Sequence, residues 1–255
     1  MRLSVAIIAK DEERHIGDCL ASVAGLADEV VVLLDSRSAD RTGAICRAWG
    51  AAVHMLAWPG FPAQRNRALD LCQGEWVLFL DADERLTDQL REEILTIVDE
   101  PPSSVQRPAS ILGYWIPRHN LFFGQRLRGG GWYPDPQLRL LRRDQARYDE
   151  ARLVHELVQL AGPAGHMHSH LLHLNIERLD EFWQKQTIYA LAEARTLYSE
   201  GRRARWRNFV GGPTREFVRR YLQLGGWRDG PLGLLLCTAL AWFELVKFAF
   251  LRGMR

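Results

Sequence analysis

Missing from this chain is any run of roughly twenty apolar residues free of charge, which argues against a membrane-spanning helix. Missing too is any Cys-x-x-Cys pair. The four cysteines, Cys19, Cys46, Cys72 and Cys237, are far apart, and three lie in segments with helical patterning. They read as buried thiols in a reducing compartment rather than as disulfides or a metal site. The opening MRLSVAIIA is short, has no small-residue cleavage site and runs directly into KDEER, so a signal peptide is not expected and a cytoplasmic location is. Net charge is only +2 over 255 residues, which leaves no global field for nucleic acid. There is no internal repeat and no low-complexity tract. Glycine is absent from AKDEERH, the stretch after the first predicted strand. That absence excludes a dinucleotide-binding G-x-G-x-x-G turn and the glycine-rich loop of a sugar-nucleotide pyrophosphorylase.

What is present is ordinary globular composition, 47% apolar and 25% charged, enough for one sizeable domain with an appendage. Through residue 100, strand and helix patterns alternate. Strands are expected at Leu3–Ala9, Glu29–Asp35, Ala52–Trp58 and Glu75–Leu80, and helices at Ile16–Leu26, Asp40–Trp49, Ala63–Cys72 and Thr87–Val98. Such alternation predicts βαβ units and a parallel sheet covered on both faces. PPSSVQRP, residues 101–108, reads as a linker or surface loop. Beyond it, Ile111–Phe123 and Gln137–Leu141 read as strands around the glycine-rich RGGGWYPDP. Leu179–Ser199, Thr214–Leu224 and Leu232–Leu251 read as helices.

In an open α/β sheet, ligands sit outside the carboxyl ends of the strands. There the chain places Ala9-Lys10-Asp11-Glu12, then Asp35-Ser36-Arg37, then Gln64-Arg65-Asn66, and finally Asp81-Ala82-Asp83-Glu84. Two carboxylates two residues apart suit one hard divalent cation, Mg2+ or Mn2+, which prefers a carboxylate or two plus phosphate oxygens. The plainer alternative is that Asp81 and Asp83 end the strand or cap the following helix.

IIAKDE, LLDSRSADRT, AQRNRALD and LFLDADE, taken in order, resemble the nucleotide-binding half of family 2 glycosyltransferases. The resemblance implies a GT-A-type α/β fold with a Rossmann-like, mostly parallel sheet. It also implies a nucleotide-diphosphate sugar as donor, a UDP-sugar favoured. Ala9, Asp11, Glu12, Asp35, Arg65, Asp81, Ala82 and Arg139 match nucleotide-sugar-binding positions, and Asp81 and Asp83 the metal positions. The motifs depart from the family where Thr-Tyr-Asn is replaced by Ala9-Lys10-Asp11 and where Asp35-Ser36-Arg37 lacks a second acid.

GYWIPRHNLFFG, RGGGWYPDPQLRLLRR and LVHE resemble a narrower branch, bacterial enzymes that add a sugar, typically glucose, to the lipopolysaccharide inner core. That implies a lipid-linked saccharide acceptor and a place on the cytoplasmic surface of the inner membrane. Inverting transfer needs a base for the acceptor hydroxyl. Glu156 is the first candidate and Asp135 the second. His155 would complete the metal shell or orient a carboxylate, and Trp132 and Tyr133 would bind the acceptor sugar. Each has a structural alternative: an exposed strand pair with Arg152 for His155-Glu156, a plugged core edge for the aromatics, a solvated strand edge for Arg139, Arg142 and Arg143. His166, His168 and His170 would share one face of a strand as three imidazoles, yet no acid or cysteine accompanies them, and a loop with His173 near the active site is preferred.

The expected organisation is a catalytic domain over 1–175, divided into a nucleotide half (1–100) and an acceptor half (110–175), and a helical extension over 176–255. From Gly201 to Arg255 there are eleven Lys/Arg against three Asp/Glu. Leu232, Leu235, Leu236, Ala239, Leu240, Phe243 and Phe250 predict an amphipathic last helix, with Glu244 and Lys247 interrupting any continuous apolar span. Arginine and tryptophan beside it suit an anionic headgroup zone; a helical pair packed on the catalytic domain is the alternative. A non-catalytic, membrane-associated adaptor remains open at this point; nucleic acid as a partner does not.

Overall fold

A seven-stranded sheet organises the first part of the computed structural model, which describes residues 1–99, 111–150 and 158–254. The order of elements is β1 (Leu3–Ala9), α1 (Ile16–Val23), β2 (Glu29–Asp35), α2 (Thr42–Ala48), β3 (Ala52–Leu56), α3 (Phe61–Leu71), β4 (Trp76–Asp81), β5 (Glu84–Leu86) and α4 (Asp88–Asp99). Then come β6 (Gly113–Ile116), β7 (Arg118–Phe122), β8 (Gln125–Arg126), β9 (Gln137–Arg142), β10 (Ala146–Tyr148), β11 (Val158–Leu160), β12 (Ala164–His166) and β13 (Leu171–Ile176). Three long helices follow, α5 (Leu179–Ser199), α6 (Trp206–Phe217) and α7 (Gly230–Gly253). The linker expected at 101–108 lies outside the described residues.

Two compact units result, one of residues 1–118 with 136–173, the other of 119–135 with 174–255. They cut across the boundary expected near residue 175, because the glycine-rich stretch joins the helices.

In the first unit the sheet order is β12-β6-β9-β4-β1-β2-β3. β1 pairs in parallel with β2 and β4, and β2 with β3; β9 then runs antiparallel to both β4 and β6. The period of two in a strand explains why these sequences are apolar throughout. Leu3, Val5 and Ile7 face one core with Trp76, Leu78 and Leu80, under α1 and α4. Ala6 faces the other with Val77 and Phe79, under α3. Each fully buried Leu, Ile or Phe stabilises such a core by about 1.5–3 kcal/mol. Register then sets the site. Ala9 lies level with Leu34, and Ile8 with Asp81, so β1, β2 and β4 deliver their last residues to one edge.

The expected strand Ile111–Phe123 is two strands, β6 and β7, parted at Pro117, which has no N–H for a ladder. All four cysteines are buried free thiols, as read from the sequence.

The second unit opens with the β7–β8 hairpin, whose two-residue turn Phe123-Gly124 has positive φ at both positions (52° and 77°). That is the type I′ geometry, matched to the twist of the flanking strands. The Phe123 N–H donates to the Ile176 carbonyl at 2.8 Å, which holds a bulky residue where glycine is usual. Phe122, Leu127, Ile176, Phe182, Leu236 and Phe243 form the core of this unit. Asp229 is buried in it, its carboxylate accepting from the backbone N–H groups of Arg128 (2.7 Å) and Gly129 (2.9 Å).

α5 has the limits that periodicity predicts. The segment expected as a helix over Thr214–Leu224 instead belongs to α6, which begins at Trp206, and to a π-helical turn over Val218–Gln223. α7 differs in kind from the expectation. Leu236, Ala239 and Phe243 are buried as anticipated, but Leu235, expected on the same face, is exposed with Leu234 and Trp242 on the other side, so the helix is apolar on both faces rather than amphipathic. With the turn before it, Gly226–Gly253 is long and apolar enough to cross a membrane by length and composition, contrary to the expectation of no such segment.

Candidate active site

The loops after β1 and β2 are fastened to one another by side chains from KDEE and SRSADRT. Asp11, in a left-handed conformation (φ 54°), accepts from the Ala39 N–H at 2.8 Å and from the Ser38 hydroxyl at 3.2 Å. The Glu12 N–H donates to the Thr42 hydroxyl at 2.8 Å and the Glu13 N–H to Asp40 at 2.9 Å. Asp35 is 1% exposed and takes a forked pair from Arg37, at 3.0 Å from Nε and 2.6 Å from Nη2. The Arg37 hydrogen bonds hold the Asp35 carboxyl well below the usual range, at about 2. The residues expected to contact base and ribose therefore stand together at the ends of β1 and β2.

At the end of β4 the two acids of Asp81-Ala82-Asp83 have different partners. Asp81 is gripped bidentately by Arg139 of β9 and lies 3.5 Å from Arg65 of α3. Burial opposes its charge, but Arg139 and then Arg65 hold its carboxyl far below the usual range. Arg139 is 5% exposed, so the solvated strand edge considered from the sequence is not its environment. Its guanidinium also reaches Glu84 at 3.1 Å, and Arg118 reaches the same Glu84 oxygen at 2.8 Å. Glu84 is fully buried, and its other oxygen accepts from the Asp81 N–H at 2.9 Å. Burial works against the Arg139 cation too, and Asp81 with Glu84 more than offsets it. Arg65 is sandwiched between Phe79 and Tyr148, with its guanidinium 5.2 and 5.6 Å from the ring centroids. Asn66 exchanges hydrogen bonds with the backbone of Tyr148, which fixes that wall.

Asp83 instead faces His173 of β13, at 3.2 Å from Nε2. This pair, rather than Asp81, offers the carboxylate and imidazole that a divalent cation could use. Among the described residues no cluster of three or more metal-ligating side chains occurs. Two protein donors suit Mg2+ or Mn2+, which fill their shells with phosphate and water oxygens. His155 and Glu156 lie outside the described residues. His166 stacks on Trp115, and the backbone N–H groups of His168 and Ser169 donate to Glu93; among the described residues the histidine run forms no cluster of three metal-ligating side chains.

Glu12 completes the acidic end. Burial first, then the charges of Asp83, Asp40, Asp81 and Asp11, push its carboxyl up to about 7.

The residues matched to the acceptor belong to the second unit. Trp132 packs on Phe122 (5.5 Å between centroids) and is covered by Arg220, so it serves the core edge. Tyr133 stacks on His119 at 5.0 Å. Asp135 accepts from the buried Asn120 amide at 3.1 Å, and the same amide nitrogen donates to the Trp132 carbonyl at 2.8 Å. Asn120 in turn accepts from Asn175 (3.1 Å), and Asn175 from the Lys185 ammonium (3.2 Å). The chain runs one way, from a group that only donates to one that, ionised, only accepts, so both amide orientations are fixed.

Sequence reasoning missed Glu84, Arg118 and Asn120. Glu84 had a signal, an acid in a stretch with burial on both sides; the others are set by partners distant in sequence.

Two outcomes are expected. Arg139→Met removes the cation that Asp81 and Glu84 share, leaving only Arg65 beside Asp81 and Arg118 beside Glu84, and lowers the unfolding free energy by roughly 3 kcal/mol; Asp81→Asn in the same chain recovers part of it in denaturant titration. For Glu12 the unfolded carboxyl ionises near 4.5 and the folded one near 7, so the unfolded state holds fewer protons between them and stability falls as pH rises through that window. In metal-free buffer, Glu12→Gln therefore melts above the wild type at pH 8 and close to it at pH 5.

Residues 4–151 match the profile of glycosyl transferase family 2. The lipopolysaccharide core biosynthesis glycosyltransferase LpsC of Rhizobium meliloti is 31% identical over 242 residues, 91% of this chain and 85% of that protein. An uncharacterized glycosyltransferase of Rickettsia bellii is 40% identical over 93 residues, 36% of this chain and 31% of its own. Among solved structures, S. aureus TarS aligns over 99% of this chain and 54% of its own, with 18% identity and a TM-score of 0.46. Glucosyl-3-phosphoglycerate synthase from Mycobacterium tuberculosis, solved with Mn2+, UDP and glucosyl-3-phosphoglycerate, aligns over 79% and 80%, with 21% identity and a TM-score of 0.46. By the family profile and by its likeness to LpsC over 91% of its residues, the chain belongs to the family 2 glycosyltransferases, on a GT-A-type α/β sheet.

Proposed function

We propose that this glycosyltransferase is an inverting, metal-dependent enzyme that moves a sugar, glucose favoured, from a UDP-sugar to a lipid-linked glycan such as the lipopolysaccharide inner core. The observation that carries the reading is the edge where Asp11, Asp35, Arg65, Asp81 and Asp83 collect beyond β1, β2 and β4. The strand-end loops there suit a nucleoside, and Arg65 with Arg139 supplies guanidinium charge suited to a diphosphate. Asp83 and His173 are the residues that would hold Mg2+ or Mn2+, together with the diphosphate oxygens. Bound there, the cation supplies positive charge against the negative charge developing on the leaving nucleotide.

Transfer forms a bond from the acceptor hydroxyl oxygen to the anomeric carbon and breaks the bond from that carbon to the diphosphate. The hydroxyl proton passes to a carboxylate, Glu156 or Asp135, and attack from the face opposite the leaving group inverts the centre. Asp135 has the fixed orientation a base needs, since Asn120 holds one of its oxygens. A lipid-borne acceptor places the enzyme at the cytoplasmic surface of the inner membrane, in keeping with the likeness to LpsC.

Calorimetric titration of UDP and UDP-glucose, with and without Mn2+, tests the reading. Metal-enhanced binding of both is the expected result, and Asp83→Ala loses the metal dependence while keeping the wild-type circular dichroism spectrum. Silence from UDP, GDP and dTDP sugars alike would sink the donor assignment. Glu156→Gln and Asp135→Asn separate the two candidate bases: the true base, once neutralised, keeps donor binding and loses at least a hundred-fold in transfer.

A further inference from the structure

The outward face of α7 is not explained by packing. Between Pro231 and Ala249 its exposed positions are Pro231, Leu234, Leu235, Thr238, Trp242 and Ala249. Spacings of three, four and seven put them on one stripe about 100° wide, and a rise of 1.5 Å per residue makes it about 27 Å long. None is charged, and Leu235 and Trp242 are 53% and 54% exposed. The inward face is the one that packs. Leu236, Ala239 and Phe243 join the core of the second unit, and Phe243 meets Trp183 of α5 edge to face at 5.0 Å.

The charges around the stripe indicate what covers it. The three acids between Gly201 and Arg255 are used internally: Glu216 by Arg219 and Arg220, Glu244 by Lys247, Asp229 by backbone N–H groups. Arg202, Arg203, Arg205, Arg207, Arg215 and Arg252 are exposed and have no carboxylate partner among the described residues. Arg252 follows the end of the stripe at Ala249 and lies over the ring of Trp206 at 4.5 Å, which gathers the arginines around the first turn of α6 at that end. Trp206 itself is 76% exposed. At the other end stand exposed Trp227 and Arg228.

We infer that the second unit seats on an anionic lipid surface through this stripe, with α7 lying in the plane of the leaflet rather than crossing it. The inference rests on the proposed membrane partner and names the surface and the mode. An uncharged stripe ending in arginine and tryptophan matches acyl chains beneath anionic headgroups. A second copy on the same stripe would bring two sets of unpaired arginines together. A crossing helix would have to strip its inner face from α5, where Lys247 also bonds Glu193 at 3.0 Å.

The test is flotation of the full chain with vesicles of phosphatidylglycerol and phosphatidylethanolamine, against pure phosphatidylcholine. Expected is flotation with the anionic vesicles only, loss of at least ten-fold in partitioning for Leu235→Glu with Trp242→Glu, and a smaller loss for Arg202, Arg203, Arg205 and Arg207 changed together to Gln. Trp49→Glu, an exposed aromatic of the first unit, floats as wild type. Undiminished flotation of the Leu235→Glu, Trp242→Glu variant overturns the inference. So does resistance to alkaline carbonate, the mark of a crossing helix, or a dimer in solution that the same variant dissociates. UDP titration of each variant keeps the two readings apart: vesicle binding without UDP binding sinks the donor assignment alone, and UDP binding without vesicle binding sinks this inference alone.

Discussion

Five charges at the end of β4 hold the first unit together and define its chemistry. Glu84 is fully buried and would be costly at that depth without cations; Asp81, three residues before it, is 36% exposed. Arg139 answers both, Arg118 answers Glu84 again, and Arg65 adds to Asp81. The arginines come from β9, from the start of β7 and from α3, so the cluster ties three separate stretches of chain to the end of one strand. It also divides labour between the two acids of D-x-D. Asp81 is occupied by guanidinium groups, and Asp83, two residues further, faces His173.

That division shows where sequence reading succeeds and where it stops. The alternation of apolar runs and short helical patterns in the first hundred residues follows from burial of both faces of a parallel sheet, a local cause. Strand identities and the convergence of Asp11, Asp35, Arg65 and Asp81 were legible for that reason. Boundaries moved by one to three residues where no cap fixed them. Glu84 was visible only as a third acid, because its partners Arg118 and Arg139 lie 34 and 55 residues away. His173 is 90 residues from Asp83, and no spacing rule links them.

In the later half, local pattern was a weaker guide for a different reason. Ile111–Phe123 has strand composition throughout, yet Pro117 interrupts the ladder, and the residues from His119 onward go to a different unit. Trp132 resembles a sugar platform in sequence, and only the arrangement of Arg220 and Phe122 assigns it to the core edge. For α7, choosing the buried face from the pattern was sound for Leu236 and Phe243, but the pattern does not report that the opposite face is apolar too.

The two units handle charge in opposite ways, and the contrast is physical rather than incidental. In the first, Glu84 and Arg139 are buried and matched at hydrogen-bonding distance, where a low dielectric makes each pairing strong and each orphan costly. In the second, the three acids beyond Gly201 are satisfied internally, while Arg202, Arg203, Arg205, Arg207, Arg215 and Arg252 face water with no carboxylate partner among the described residues, where screening makes isolated charge cheap. Cheap exposed charge does little for a fold, so its accumulation beside an uncharged stripe on α7 is better accounted for by attraction over a distance to an oppositely charged surface. A total of +2 conceals that arrangement, since the mean over 255 residues cancels what the two units keep apart.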